Sequence, residues 1–461
     1  MHEITAFVSQ INSVLWGPFC LIPLLVGTGI YFTLKLRFIQ IKRFARAVNY
    51  VLSNIKIFGK KADGTGMTSF QSLATAVAAQ VGTGNLAGVA TAIAMGGPGA
   101  IFWMWLAAFF GMATIFVEAV LAQRYKRTYK DGHVAGGPAF YITEGLRCRP
   151  MAIFFAFSII IALGFIGNMV QANSIAHAFD VAFGVKPWIV GVVIALIAAF
   201  IFIGGIRRIA STTEKIVPFM AVLYLVGGFI VLAVCYENIL PALKMVFVGA
   251  FDPSAATGGI IGASVKEAIR YGVARGLFSN EAGMGSTPHA HAVAKVDHPA
   301  QQGLVAIMGV FFDTFVVLNM TALVILSTGV LDGKLTGIAL TQHAFQVGLG
   351  SAGFGFVAIC LFFFAFSTII GWYFFAEQNV KYLFGVRSIK PFQWIVVAFV
   401  FLGSLLQVDL VWELADLFNG LMVIPNLIAL IGLGKVASKV FEDYETHYNP
   451  QTDTLRRHKA Q

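Results

Sequence analysis

Apolar stretches long enough to cross a bilayer recur from one end of the sequence to the other, separated by short segments rich in Lys and Arg. In hydrocarbon every backbone amide and carbonyl must find its partner within the chain, so such stretches fold as helices. The composition agrees: 58% of the 461 residues are hydrophobic and 12% are charged, against about 25% charged in soluble domains. The expected fold class is an all-α polytopic membrane protein with about eleven transmembrane helices.

The basic loops set an expected topology. A first helix near 16–34 is followed by a basic stretch, 35–61, carrying Arg37, Lys42, Arg43, Arg46, Lys56, Lys60 and Lys61. The positive-inside rule puts that stretch in the cytoplasm and the N-terminus outside, and its spacing suits an amphipathic helix on the anionic inner leaflet. The net charge of +10 is accounted for by such loops, and no nucleic-acid partner is implied. The four cysteines, Cys20, Cys148, Cys235 and Cys360, show no CxxC spacing and signal neither zinc nor a disulfide framework. The first residues lack the basic region of a cleaved signal peptide, so the first apolar segment is expected to remain as an anchor.

Five windows follow, near 68–94, 101–123, 151–179, 188–206 and 217–236, and five more near 256–292, 304–328, 354–383, 394–406 and 417–433. The first window of each set is interrupted by Gly and polar residues. Interrupted helices at matching places in two halves point to inverted repeats of five helices. The expected units are 1–66 (first helix and basic segment), 67–237 and 238–440 (the repeats), and 441–461, a charged cytoplasmic tail disordered in part.

The interruption in 68–94 reads Gln80-Val81-Gly82-Thr83-Gly84-Asn85. A helix broken there offers amides to an anion at one half-helix end and carbonyls to a cation at the other. The competing reading is close packing through the GxxxG of Gly84 and Gly88. Gln80 and Asn85 favour the site, because packing does not need them. The second interruption carries RGLFSNEAGMGS at 275–286.

Other polar residues at depth keep two readings each. Asn168 and Gln171 share a helical face and either line a polar cavity or bond between helices. Ser367 and Thr368 either bond back to their own helix or offer oxygens to sodium. Asp313 is a candidate ion or proton carrier, with pairing to Arg270 or Arg275 the favoured reading. Glu118 and Glu377 are expected to pair at the interface, and His289 and His291 to be ordinary surface residues without a metal. The sequence has no GxxxxGK[ST], HExxH or GxSxG, which argues against ATP-driven transport and against an enzyme.

GGPGAIFWMWLAAFFG at 96–111, QVGTGN at 80–85, GNMVQANS at 167–174 and RGLFSNEAGMGS at 275–286 resemble the sodium–alanine/glycine symporter family over nearly the whole chain. The resemblance implies a leucine-transporter-like fold with one added N-terminal helix, and Na+-coupled uptake of alanine or glycine across the plasma (inner) membrane. It implies that Gln80, Thr83 and Gly84 belong to an unwound substrate-binding region, with Asn85 at a substrate-proximal sodium. Ser367 and Thr368 look like ligands of a second sodium completed by carbonyls of Ala78 and Val81. Phe278, Ser279 and Asn280 look like the break of the sixth core helix. Bulky residues such as Phe278 and Trp372 would wall a small side-chain pocket, because favourable contacts discriminate one methylene by only ~1–3 kcal/mol. The expected partners are the amino acid, Na+ as coupling ion and membrane lipid, with no other cofactor and no obligate protein partner. Proton coupling through Asp313 or Glu118 is the alternative, and a membrane-embedded enzyme the distant one.

Overall fold

The structure is a computed structural model and describes residues 2–17, 19–54, 66–129, 132, 134–257, 263–406 and 408–448. Helices α1 (His2–Leu15), α2 (Leu21–Lys35) and α3 (Phe44–Asn54) precede α4 (Ser69–Gln80), which breaks and resumes as a π turn, Gly84–Gly88, and α5 (Val89–Gly96). Then come α6 (Ala100–Arg124), α7 (Pro138–Glu144), α8 (Arg149–Phe183), α9 (Pro187–Ile203), α10 (Gly205–Val234) and α11 (Ile239–Gly249). A second interrupted pair, α12 (Val265–Asn280) and α13 (Pro288–Ala292), leads into α14 (Pro299–Thr328), α15 (Gly337–Leu349), α16 (Ala352–Phe384), α17 (Ile389–Gly403) and α18 (Val408–His447). The strands among the described residues form one ribbon, Arg127–Thr128 against Val134–Ala135.

Among the described residues seven helices are long and apolar enough to cross a membrane, and the α4–α5 pair, bent by 45°, makes an eighth. Helices α2 and α9 are apolar but shorter. Exposed Leu196, Phe200, Val222 and Phe229 on α9 and α10 give these helices the apolar outer face that lipid requires.

Local chemistry starts both interrupted helices in the same way. Thr68 Oγ1 accepts the Gln71 N–H and Gln71 Oε1 accepts the Thr68 N–H, each at 3.1 Å. Ser264 and Glu267 make the same reciprocal pair ahead of α12, at 3.3 and 2.8 Å. Each capping box satisfies two of the orphan donors at a helix start. After α5 the chain turns at Gly96-Gly97-Pro98, with Gly97 at φ 75° and the Ala100 N–H on the Gly97 carbonyl at 3.1 Å. Helices α4 and α12 both pack against α14, and α16 packs on α4. A Cβ on Gly371 would lie 2.9 Å from Ala79 Cβ, so α16 approaches α4 as closely as small residues allow.

Two expectations need correction, at the first window and at the segments of α11 and α15. The first apolar window starts at Leu21, and the residues before it form a separate helix, α1, docked on α18. There Asn12 Nδ2 donates to the Glu413 carbonyl at 2.8 Å and to Glu413 Oε2 at 2.6 Å, and Trp16 Nε1 donates to the Asp416 carbonyl at 3.2 Å. The first residues of the tail continue α18 as far as His447, where Glu445 pairs with Arg43 and Arg46; the expectation of partial disorder falls on 449–461, outside the described residues. Helices α11 and α15 occupy segments expected to be loops. Lys56, Lys60 and Lys61 of the basic stretch also lie outside the described residues, whereas α3 forms within it.

Candidate functional site

The first break is sharp. α4 ends with Val81 at ψ 88°, and the chain turns through Gly82 and Thr83 before the π turn. Within the break the Gly82 N–H donates to Asn85 Oδ1 at 3.0 Å and the Thr83 N–H to Gln171 Oε1 at 3.2 Å. Side-chain amide oxygens from the break and from α8 therefore cap the amides that leaving the helix exposes. A Cβ on Gly82 would collide with Thr368 Oγ1, and one on Gly84 would lie 3.0 Å from Ser279 Cα, whereas Gly88 has only Thr83 O at 3.8 Å. GxxxG packing needs both of its glycines in contact and only Gly84 is; what Gly84 admits is the backbone of the second interrupted helix.

On the α4 side of the break, carbonyls converge on two hydroxyls of α16. Thr368 Oγ1 lies 3.0 Å from Ala78 O, 3.2 Å from Ala79 O, 3.5 Å from Val81 O and 3.1 Å from Phe364 O. Ser367 Oγ lies 3.2 Å from Ala78 O and 2.8 Å from Phe364 O. A hydroxyl has one proton to give, so acceptors outnumber donors here. The back-bonding reading holds through Phe364 and does not exhaust the cluster.

On the other side, Asn85 Nδ2 donates to Asp313 Oδ1 at 2.7 Å and to its carbonyl at 3.3 Å. Ser279 Oγ reaches both Asp313 oxygens, at 3.0 and 3.1 Å, and Thr314 Oγ1 donates to Oδ2 at 3.0 Å. Asp313, Asn85, Ser279 and Thr314 are all buried. The expected pairing of Asp313 with arginine is overturned. Arg275 is bound bidentately by Asp416, at 2.7 and 2.8 Å, and Arg270 stacks over Tyr271. Among the described residues the hydrogen-bond partners of Asp313 are all neutral donors. Asp313 lies in a π segment, Phe311–Leu318, of α14, a distortion found often at functional sites.

Gln80 Nε2 donates to the Asn280 carbonyl at 2.7 Å, and Asn280 Nδ2 to Thr314 Oγ1 at 3.2 Å. The structure thus brings together Ala78, Gln80, Val81, Thr83, Gly84, Asn85, Gln171, Ser279, Asn280, Ser367 and Thr368. Asn168 bonds back within its own helix through Nδ2, to the Gly164 carbonyl at 3.1 Å, which leaves its Oδ1 unused. Gln80 Oε1, Thr83 Oγ1, Asn168 Oδ1 and Gln171 Nε2 are buried and unpartnered, so the region holds oxygens for an ammonium and an N–H for a carboxylate.

Phe278, Ser279 and Asn280 are helical, the last turn of α12; the second break starts three residues later than expected, at Glu281 (φ 59°), and runs through Gly283 (φ 89°) and Gly285 (φ 83°). Glu118 of α6 holds this segment. It accepts the N–H groups of Gly283 and Gly285, each at 2.9 Å, and Asn426 Nδ2 at 2.7 Å. Glu118 is therefore a buried clamp on the break, with no ion pair among the described residues, while Glu377 does pair, with Lys381 at 2.6 Å. The amides of the second break are thus held by a buried carboxylate, whereas those of the first are capped by neutral side-chain amide oxygens, which an anionic ligand displaces more readily. His289 and His291 are buried, contrary to expectation, and bond to Asn379 and Gln302, each at 2.8 Å. Phe278 lies edge-on to Trp372 (5.7 Å) and tilted against Trp412 (5.2 Å). Trp412 and Arg275 line a cavity of about 660 Å³ between α1, α5, α8, α12, α15 and α18, so Phe278 packs on a residue of that cavity's wall.

The sodium:alanine symporter family matches residues 1–458. The sodium/alanine symporter AgcS of Methanococcus maripaludis is 44% identical over 94% of this chain and 96% of its own length. YrbD of Bacillus subtilis, whose name makes it a candidate sodium/proton-dependent alanine carrier, is 41% identical over 98% and 95%. The crystal structure of MhsT in complex with L-phenylalanine superposes with a TM-score of 0.56 at 12% identity, over 86% of this chain and 92% of that one, which establishes a shared leucine-transporter-like fold. Matched from end to end and related at this level to proteins of its own length, the chain belongs to the sodium:alanine symporter family, an integral membrane transporter that carries an amino acid together with a cation.

Proposed function

We propose that this transporter couples an inward Na+ gradient to uptake of alanine, glycine or both by alternating access. The observation that carries the reading is the excess of acceptor oxygens around Ser367 and Thr368, set against the carbonyls of Ala78 and Val81 at the broken end of α4. Neutral hydroxyl and carbonyl oxygens suit a hard monovalent cation, and the C-terminal end of a half-helix adds its negative dipole end. Asn85, with Ser279 and Asp313, forms a second cation site beside the substrate. The carboxylate of the amino acid takes up amides freed at Gly82–Gly84 and the Gln171 amide, displacing the side-chain oxygens that cap them. Gln80, Asn168 and Thr83 offer oxygens to the ammonium, and Asn280 fixes Gln80. Phe278 and Trp372 bound the side-chain pocket and exclude larger residues sterically. The eleven-span arrangement of 1–66, two inverted repeats at 67–237 and 238–440, and a cytoplasmic tail at 441–461 belongs to the same reading, with the N-terminus outside the plasma membrane and lipid as the only other partner.

Proton coupling is the second reading. It is favoured by one observation, that Asp313 is a buried carboxylate met only by neutral donors, and by the name of the relative YrbD. Labelled alanine uptake into proteoliposomes separates the two. An inward Na+ gradient at equal pH drives accumulation if Na+ is the coupling ion, and a proton gradient without Na+ drives none. Accumulation under the proton gradient alone would replace the first reading by the second. In the same vesicles an impermeant thiol reagent, applied to a cysteine at Glu3 or at Ser53 in a cysteine-free background, reports orientation.

A further inference from the structure

We propose that Glu281 is a positioning residue that sets the size of the amino-acid pocket by fixing the indole of Trp372. The inference rests on the reading of Trp372 as a wall of that pocket. Glu281 is the first residue of the second break, held in the left-handed region at φ 59°. Its N–H donates to the Leu277 carbonyl at 2.8 Å, and its carbonyl accepts the Met284 N–H at 3.1 Å. The carboxylate is buried and both oxygens are used. Oε1 accepts the indole N–H of Trp372, and Oε2 accepts the Ser286 hydroxyl at 2.5 Å.

The indole is held on its other sides by shape. A Cβ on Gly167 would lie 2.5 and 2.6 Å from its Cζ3 and Cε3, and Phe278 meets it edge-on at 5.7 Å. Contacts of this kind restrict where the ring can go but leave its N–H without an acceptor. An indole N–H is a donor with no acceptor function, and buried it must find an acceptor. A charged acceptor makes the stronger bond. With Glu281 in place, the N–H end of the ring is tied to the second break and the remainder is presented beside Phe278. Without it the ring is free to turn toward another acceptor, and the pocket wall moves with it. Because Glu281 belongs to the unwound segment, the wall is tied to the element that must shift when the transporter changes state.

Gln at this position keeps an oxygen for the indole and gives Ser286 a donor, whereas Ala removes both. Three proteins are compared, wild type, Glu281→Gln and Glu281→Ala, with two measurements. In proteoliposomes, the ratio of the inhibition constant of valine to the KM of alanine falls at least tenfold in Glu281→Ala, with a smaller change in kcat, and stays within about twofold of wild type in Glu281→Gln. In 5-fluorotryptophan-labelled protein, the 19F resonance assigned by Trp372→Phe shifts or broadens in Glu281→Ala and is restored in Glu281→Gln. An unchanged resonance in folded Glu281→Ala overturns the positioning role whatever is transported. A wild type that takes up no alanine overturns the function reading, while the resonance still decides the positioning. Should Glu281→Ala not fold, Glu281→Met keeps much of the side chain's bulk, removes the carboxylate acceptor and must lower the same ratio and move the same resonance; a wild-type ratio with an unchanged resonance there also overturns the inference.

Discussion

Replacing Asp313 by Asn is expected to raise the sodium concentration for half-maximal alanine uptake by about 100-fold, leaving the protein folded. The oxygen of Asn can still accept from Asn85 Nδ2, and its amide can donate to the Ser279 and Thr314 hydroxyls that now donate to Asp313. Shape and hydrogen bonding survive, and only the charge is lost. Removing one partner of a buried charge pair costs about 2–5 kcal/mol, and each 1.4 kcal/mol is about tenfold in affinity, so the cation rather than the fold bears the loss. The check is sodium dependence of uptake beside thermal stability of the purified variant. A stable variant with wild-type sodium dependence would leave Asp313 as a structural acid and remove it from the cation site.

Ser367→Ala with Thr368→Ala should act on the other side of the break. The pair removes two hydroxyls that face the carbonyls of Ala78, Ala79 and Val81. Hydrogen-bonding groups to a charge contribute about 1.5–3 kcal/mol each. Even with compensation by water, the sodium concentration for half-maximal uptake should rise by roughly 10- to 100-fold. Both hydroxyls also bond back to Phe364 O, and that contact predicts a different result. If back-bonding is their whole role, the double variant changes stability slightly and sodium dependence not at all. Measuring uptake against sodium in the double variant, normalised to protein in the membrane, decides between them.

What the sequence revealed of this site followed from local chemistry. The Gly-polar interruptions sit where the helices break, because Gly82 and Gly84 occupy positions where a side chain would strike Thr368 or Ser279. Ser367 and Thr368 were identifiable as adjacent hydroxyls in an apolar helix. Partnerships across helices were not. The charge of Asp313 was visible, but whether it meets Arg275 or Asn85 depends on which faces of α12, α14 and the break come together, and spacing along one helix does not encode that. Glu118 was placed at an interface because nothing in its own helix shows that two amides of a distant glycine loop close over it. Helix α1 gives no spanning signal, since it carries Ser9, Gln10, Asn12 and Ser13 and is too short to span; it is ordered by α18, through Asn12 and Trp16. The π segments at Ile160–Gly167 and Phe311–Leu318 leave no signature in hydrophobic period.

Sodium and amino acid share one break in this reading, so their binding must be linked, and linkage is reciprocal. Equilibrium binding of labelled alanine to purified protein at low and at saturating Na+, at one pH, measures that coupling without any assumption about transport. Sodium should tighten alanine at least tenfold, alanine should tighten sodium by the same factor, and Asn85→Ala should reduce both factors together. Alanine bound with equal affinity with and without sodium by a folded protein would contradict the shared site.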